Sequence, residues 1–513
     1  MKIRSFLEKS ISVFYAAVFA VCSFFTLFHF ERYPLGFAHS TVKTGVFALL
    51  CGGLTAGYAK LLGGRTSRRS NMVRFAVALI LAAVQFLLFL KILTPIGWDA
   101  LEVNNSAEFG MYNEEYFVRY PNNLFMQMML SGWLKVSKFI PFLSALRKME
   151  LLNLFFVDAA IAMAVLTARK LYGTKAGDSV FAGCVLLIGF HPTLSTVYSD
   201  TLAMPFPIGV LFFLVCAGRA DAGRKKLLYV SMAGIWGVTG YYIKPTVCII
   251  YIAVAVILLL RMKRNALNRE ILMQAAAGLL CASLAFGAIW ALQRPIKAGW
   301  KEKYPEIVSV GPLHYIGIGL SNLEDDPSGY GGWNEPAVTW TQQHIGSPDY
   351  TREAIEHIRE RLADYGPLGY LEQLFNKLVW AGSDGTFFYG MEGGFHLEEQ
   401  SDRNTLRGFL QNGFYIETEF YQNWFSAWMQ GVWLMVCIRS ALTILRKSDA
   451  PYSGIAKLSV LGLFLFLLLF ENRSRYLFLY LPVILTIAES GCFLIIRANP
   501  HTDISAHGSA LPD

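Results

Sequence analysis

Charge is scarce in this 513-residue chain: Asp, Glu, Lys and Arg make up 16% of it, against 54% apolar and 14% aromatic residues. An average soluble protein carries roughly 25% charged residues, so this composition excludes an ordinary soluble globular fold and implies a polytopic membrane protein. No cysteine stands in a polar loop. Cys22, Cys51, Cys184, Cys216, Cys248, Cys281, Cys437 and Cys492 all fall in apolar runs, which excludes a loop disulfide framework. With no CxxC and no His/Cys cluster there is no structural zinc pattern, and the thiols read as packing residues. Gly317-Ile318-Gly319 has no preceding strand and no phosphate-binding helix, so it makes no nucleotide site. A Pro/Ser-rich linker and a short internal repeat are also missing. The net charge of +8 would fit an acidic partner if the basic residues gathered on one face. They cluster in short loops instead, which is a topological signal, and no nucleic-acid partner is expected.

What is present is a series of long apolar runs. The first, about Ile11 to Phe28, follows Lys2, Arg4 and Lys9 without a small-residue cleavage pattern and is expected to be a retained helix. The second, about Val42 to Leu62, leads into a loop with Lys60, Arg65, Arg68, Arg69 and Arg74 and no acid. By the positive-inside rule this loop is cytoplasmic, and the third run, about Phe75 to Leu93, rises to the outer surface at Asp99. Carried along the chain, the same rule gives about twelve spans, with basic residues at each short cytoplasmic loop. About Asn122 to Ile140 has an apolar stripe at helical spacing with polar residues between, and reads as an amphipathic surface helix. The expected organisation is a transmembrane module over 1–292 with a first-loop active-site segment at 97–145, and a mixed extracytoplasmic subdomain over 293–421. The C-terminal transmembrane helices follow over 422–498, then a disordered tail at 499–513.

This topology gathers ionisable residues at the outer helix ends: Asp99, Glu102, Asp200, Lys244, Glu471, Arg473 and Arg475. Lys244 stands there as a lone cation. Transfer from a phosphate-activated lipid needs both signs of charge. A carboxylate takes the proton of an acceptor hydroxyl, and cations stabilise charge growing on the leaving phosphate. Arginine suits the second task because its guanidinium grips two phosphate oxygens at once. Each residue also has a plainer role: Arg473 and Arg475 as snorkelling residues or partners of Glu471, and Asp99 or Glu102 as a cap. His191 and His314 have no partner at metal spacing and read as structural.

The Asp99/Glu102 loop, Tyr120-Pro121 before the amphipathic helix, Tyr198-Ser199-Asp200 and Glu471-Asn-Arg-Ser-Arg-Tyr476 together resemble the GT-C class of integral-membrane glycosyltransferases. The likeness is nearest to the family 39 branch, which includes the protein O-mannosyltransferases and the aminoarabinose transferase of lipid A. It implies an all-α polytopic GT-C type fold and an inverting transfer from a polyprenyl-phosphate sugar to a cell-surface glycan or protein on the extracytoplasmic face. It also implies catalytic roles for Asp99, Glu102 and Asp200; from the charge pattern, Lys244, Arg473 and Arg475 are expected to contact the donor phosphate, with Tyr120, Glu471 and Tyr476 in support. The adjacent Asp-Glu pair of the family is not reproduced, since Ala100 and Leu101 intervene, which leaves open which carboxylate is the base. Oxygen ligands would suit magnesium or manganese, while some relatives work without metal, so no cofactor is assigned. A polymerase or ligase of lipid-linked polysaccharides would place its arginines and a histidine in the large outer loop. A transporter would place ionisable groups mid-span, where the sequence offers mainly Gln85 and Asp158.

Overall fold

The structure, a computed structural model, describes residues 2–62, 67–92, 97–110, 113–261, 269–325, 327, 329–392, 404–445 and 451–497. The expected tail at 499–513 lies outside them, as do Arg65, Lys263, Arg264, Arg446 and Lys447 of the basic loops. All described secondary structure is helical. The chain opens with α1 (Lys2–Leu27), α2 (Thr41–Leu61) and α3 (Arg68–Phe89). Ser40 and Ser67 cap the last two by accepting from the amides of Lys43 and Ser70. Short α4 (Trp98–Phe109), α5 (Glu114–Arg119) and α6 (Leu124–Val136) form the first-loop layer. The core continues with α7 (Ala145–Tyr172), α8 (Thr174–Cys184, extended by a π turn to Gly189), α9 (Ser199–Leu202), α10 (Pro205–Gly218), α11 (Gly223–Ile243), α12 (Ile249–Arg261) and α13 (Arg269–Lys303). Beyond them lie α14 (Pro312–Gly319), α15 (Glu335–His344), α16 (Tyr350–Gly382), α17 (Tyr389–Glu392) and α18 (Leu406–Phe414). The C-terminal group is α19 (Ser426–Leu442), α20 (Pro451–Leu469) and α21 (Leu481–Arg497).

Among the described residues eight helices are long and apolar enough to cross a membrane, so the chain is an all-helical, multi-pass membrane protein. The other four expected spans fall on helices that miss that mark. The α8 segment, α12 and α21 are short, and α11 begins with Gly-Arg-Lys-Lys. One boundary needs correction. The helix expected to end at Leu292 runs on to Lys303 through Pro295, because good helix formers carry it past the apolar stretch. The region 293–421 consists, in its described residues, of helices and connecting loops with no strand. Its longest element, α16, bends at Gly366 (φ 60°) before Pro367. Proline supplies no amide and disfavours helical geometry at the residue before it, which only glycine tolerates with positive φ.

The helices pack closely where small residues meet. A Cβ at Gly431 of α19 would lie 2.5 Å from Phe47 Cβ and 2.9 Å from Thr44 O of α2, a crossing open only to glycine. The spans also hold more charge than Gln85 and Asp158. Arg439 of α19 donates to Glu489 of α21, and through Nη2 to Thr55 Oγ1 of α2 at 2.7 Å and Gly52 O at 3.2 Å; Ser179 of α8 donates to the other Glu489 oxygen. Both ion-pair members are buried. Four helices are thereby tied by one charge pair whose partners are 50 residues apart in sequence.

Replacing Arg439 alone by leucine strands Glu489 in an apolar interior and is expected to cost about 3–5 kcal/mol. Replacing both by leucine should cost less than either single change, a non-additivity read directly from denaturant unfolding of the four proteins in one detergent.

Candidate functional site

Trp98 and Asp99, in the first turn of α4, line a cavity of ≈ 690 Å³. Its walls come from five parts of the chain: α4, the segment from α5 to α6, Tyr198 before α9, the region from α14 to Met391, and the segment 471–476 that follows α20. Of the residues singled out from the sequence, Asp99, Glu102, Tyr120, Glu471, Arg473, Arg475 and Tyr476 line it together. Asp200 and Lys244 do not. They lie behind the wall.

Asp99 occupies the first turn of α4, where the unpaired amides and the dipole favour a carboxylate. Its Oδ1 accepts from the Tyr116 hydroxyl at 2.7 Å, and Asn123 donates to that same hydroxyl oxygen. Glu102, one turn on, accepts from Asn113 Nδ2 at 2.8 Å. Asn113 also caps α5 through its Oδ1, so one asparagine sets both the helix that carries Tyr116 and the second acid. The turn that carries these groups is strained: Trp98 has φ 59° and its ring lies 5.5 Å from that of Trp333 across the cavity. On the opposite wall Phe388 has φ 68°. A non-glycine residue in this region costs on the order of 1–3 kcal/mol, and here both strained residues line the same cavity.

The cationic wall is built from below. Asp200, fully buried, accepts from Lys244 and pairs with Arg475 Nε at 3.2 Å. Lys244 is therefore not a lone cation; its partner sits 44 residues away in sequence, beyond what spacing reveals. Burial lowers the Lys244 ammonium from its ordinary value, while Asp200 opposes that shift. Arg475 Nη2 donates to the Tyr198 hydroxyl at 3.0 Å, and the guanidinium lies 4.2 Å from the Tyr198 ring centre. Arg473 is held differently, 4.2 Å from the Phe388 ring centre and 3.5 Å from Trp333 O. Gly332 faces it so closely that a Cβ would lie 3.0 Å from the Arg473 Cζ.

The segment 471–475 is pinned by Lys377 of α16, whose ammonium donates to Gly319 O at 2.7 Å and to Leu468 O and Phe470 O at 2.8 Å. Those carbonyls lie at the C-terminal ends of α14 and α20, where negative dipole ends favour a cation. Asn472 completes the join, its amide donating to Gly331 O at 2.7 Å and its Nδ2 to Tyr330 O and Lys377 O. Asn472-Arg473-Ser474, which matches the Asn-X-Ser glycosylation pattern, is therefore a buried join. Glu471 is raised from its ordinary value by burial, opposed by Arg473 and by a hydrogen bond with Tyr476. His314 bonds Thr341 Oγ1 at 2.9 Å, and burial takes it down to about 4, so it lines the cavity as a neutral ring near pH 7.

Tyr116, Asn123, Trp333 and Phe388 are cavity residues that the sequence reading did not select; Tyr116 stands 17 residues beyond Asp99 on another helix, too far for local spacing to mark it. Three acids line the cavity, yet among the described residues no group of three His, Cys, Asp or Glu side chains is placed to hold a metal ion. No step is routed through a metal ion.

A family model described as "Conserved hypothetical integral membrane protein" matches residues 11–492. No curated protein matches. Among solved structures the chain is distantly similar to ArnT from Cupriavidus metallidurans bound to undecaprenyl phosphate. Identity is 13% and the TM-score 0.33, over 83% of this chain and 78% of that one. The apo state of the same protein gives 12% and 0.30 over the same shares.

Glu471 supplies a pH test. A carboxyl raised on folding binds its proton more tightly in the folded state, so its stabilisation is full below the ordinary value of about 4.3 and is lost as pH rises through the folded value. Glu471→Gln keeps the neutral form at every pH. Unfolding measured from pH 4 to 8 should show a flatter profile for the variant and a smaller loss toward neutral pH than in the parent.

Proposed function

We infer, since this chain belongs to the family of conserved hypothetical integral membrane proteins and so works within a bilayer, that its cavity transfers a sugar from a polyprenyl-phosphate donor to an acceptor hydroxyl. The observation that carries this reading is the division of one cavity into an acid wall and a cation wall, with aromatic rings between. Asp99 and Glu102 stand on one side, Arg473 and Arg475 on the other, and Trp98, Tyr120, Tyr315 and Trp333 line the space. Sugar rings offer apolar C–H faces and polar rims, which such aromatic and charged walls complement. The ordered motif set that resembles family 39 of the GT-C class supports the same assignment.

In this reading Asp99 is the general base. Its Oδ1 is held by Tyr116, which aims Oδ2 into the cavity toward the acceptor hydroxyl. The acceptor oxygen forms its bond to the anomeric carbon as the bond from that carbon to the phosphate oxygen breaks. The hydroxyl proton passes to Asp99, and the electron pair leaves with the phosphate. Arg473 and Arg475 stabilise that growing charge. Glu102 keeps α4 and α5 in register through Asn113 and borders the acceptor. Asp200 and Lys244 take the role of orienting Arg475 and do not meet the substrate. The reading places the cavity on the extracytoplasmic face, by the charge bias of the short loops.

Two tests bear on the mechanism. Asp99→Asn, which keeps size and removes the basic oxygen, is expected to lower transfer by roughly 100- to 10,000-fold, with the protein still inserted in the membrane. Near-normal turnover of polyprenyl-phosphate sugar by the purified variant would sink the assignment. At Arg473 and Arg475, lysine keeps charge but loses the two-point grip, and glutamine loses both. Donor consumption should fall in that order, by about ten- to a hundredfold at glutamine. Equal consumption by both glutamine variants and the parent would remove the phosphate role from this pair.

A cysteine introduced at Gly346, in the turn after α15, should react with a membrane-impermeant thiol reagent added to intact cells. One at Ser67, at the cap of α3, should not. Reversed labelling would overturn the extracytoplasmic placement.

A further inference from the structure

Apart from the cavity described, the bundle contains a second one, of ≈ 490 Å³, between α3, α7 and α8. It exists because α3 meets the bundle at its two ends and not between them. The buried residues of α3 are Arg74, Gln85 and Phe89. At one end Arg74 forks onto Asp178 of α8, with Nε to Oδ1 at 2.8 Å and Nη2 to Oδ2 at 2.7 Å. At the other, Gln85 Nε2 donates to Gly189 O at 2.9 Å. Eleven residues separate these props, or roughly 16 Å of helix. Between them Ala78 and Ala82 face Ile161 and Val165 across an open, mostly apolar slot. Alanines one turn apart usually let two membrane helices close up. Here the polar props hold them apart.

The slot has a charged head. Asp178 has both oxygens engaged by Arg74, yet Arg169 of α7 also reaches it, through Nη2 at 3.2 Å. Two guanidinium groups thus meet one carboxylate and leave one positive charge in surplus. Arg169 carries that surplus toward the outside: its side chain keeps 30% of its exposure, against 6% for Arg74 and 1% for Asp178. Its Nε is buried and has no hydrogen-bond partner among the described residues. Asp158 lines the opposite end of the slot beside Gln85, about three turns along α7 from Arg169.

We propose that this slot is a binding site for an anionic phospholipid, with its headgroup phosphate on Arg169 and one acyl chain lying between Ala78/Ala82 of α3 and Ile161/Val165 of α7. The surplus charge selects the phosphate, which the part-exposed Arg169 guanidinium can meet. The depth of the slot along α3 suits a chain, and a small soluble anion would leave that apolar length unfilled. Arg68, Arg69 and Lys170 flank the same end in sequence, the arrangement by which basic clefts between helices hold acidic headgroups of the cytoplasmic leaflet. The site sits at the end of α3 remote from Asp99 and does not depend on the transfer chemistry assigned there.

The test is native mass spectrometry of the full-length protein exchanged into phosphatidylglycerol or phosphatidylcholine of identical acyl chains. Phosphatidylglycerol should be retained in preference. Arg169→Gln should lower that retention about tenfold, as loss of one charge-assisted hydrogen bond implies, and Arg169→Lys should restore part of it. Ala82→Phe fills space that is already open, so it should leave folding intact while excluding the chain; it should reduce retention of phosphatidylglycerol with the headgroup residues unchanged. Lys225→Gln, an exposed basic residue outside the slot, should change nothing. Equal retention of the two lipids, parent-like retention by both Arg169→Gln and Ala82→Phe, or an equal loss with Lys225→Gln would each overturn the proposal. So would displacement of the lipid by millimolar inorganic phosphate, or retention of undecaprenyl phosphate alone.

Discussion

The carboxylate of Asp200 is the interaction on which the cavity wall rests. It is fully buried and shared by Lys244 and Arg475, so it joins α9, the turn after α11 and the segment after α20. Removing one carboxylate from water costs several kcal/mol unless well-placed cations offset it, and neither cation alone satisfies both oxygens. Each of the three segments is thereby held by the other two. Lys244 also lies 4.4 Å from the Tyr476 ring centre, which fixes the ring that borders the cavity. An acid that never meets substrate thus decides where a guanidinium points.

The sequence made the helices legible because apolar runs of membrane length have few alternatives, and α2, α3 and α7 fall where hydropathy put them. It made the helix-end acids and the Glu471–Tyr476 segment legible for the same reason: an ionisable residue just past an apolar run is conspicuous. What it hid was pairing. Lys244 looked solitary, and Arg439 with Glu489 passed unnoticed inside spans, because each partner lies on another helix dozens of residues away. Tyr116, Trp333 and Phe388 were hidden for a related reason, since nothing local distinguishes a cavity aromatic from a core aromatic. Within 293–421 the helical period was legible near Arg352 to Leu374, but not the non-helical kink that Gly366 and Pro367 place inside α16.

One helix, α3, connects the two cavities. Its C-terminal end leads to Trp98 and Asp99, and its N-terminal half forms one side of the slot headed by Arg74 and Arg169. Most of its surface faces outward, and polar residues carry its attachment. Such attachments are directional: a hydrogen bond and a bidentate ion pair fix angle as well as distance. The tilt of α3 is therefore set by two polar contacts and the buried Phe89, and not by a broad packed face.

Lys377 has a consequence for chemical labelling. All three of its ammonium donors are engaged by carbonyls of Gly319, Leu468 and Phe470, and the side chain is almost wholly buried. An amine so enclosed has no path to an acylating reagent while the folded state persists. Its acquisition of a label would mark the moments when α16 parts from the ends of α14 and α20, a local opening with its own free energy below that of global unfolding. Exposed lysines of the same chain would be saturated long before, so the time course at this one amine is a clock for the integrity of the cationic wall.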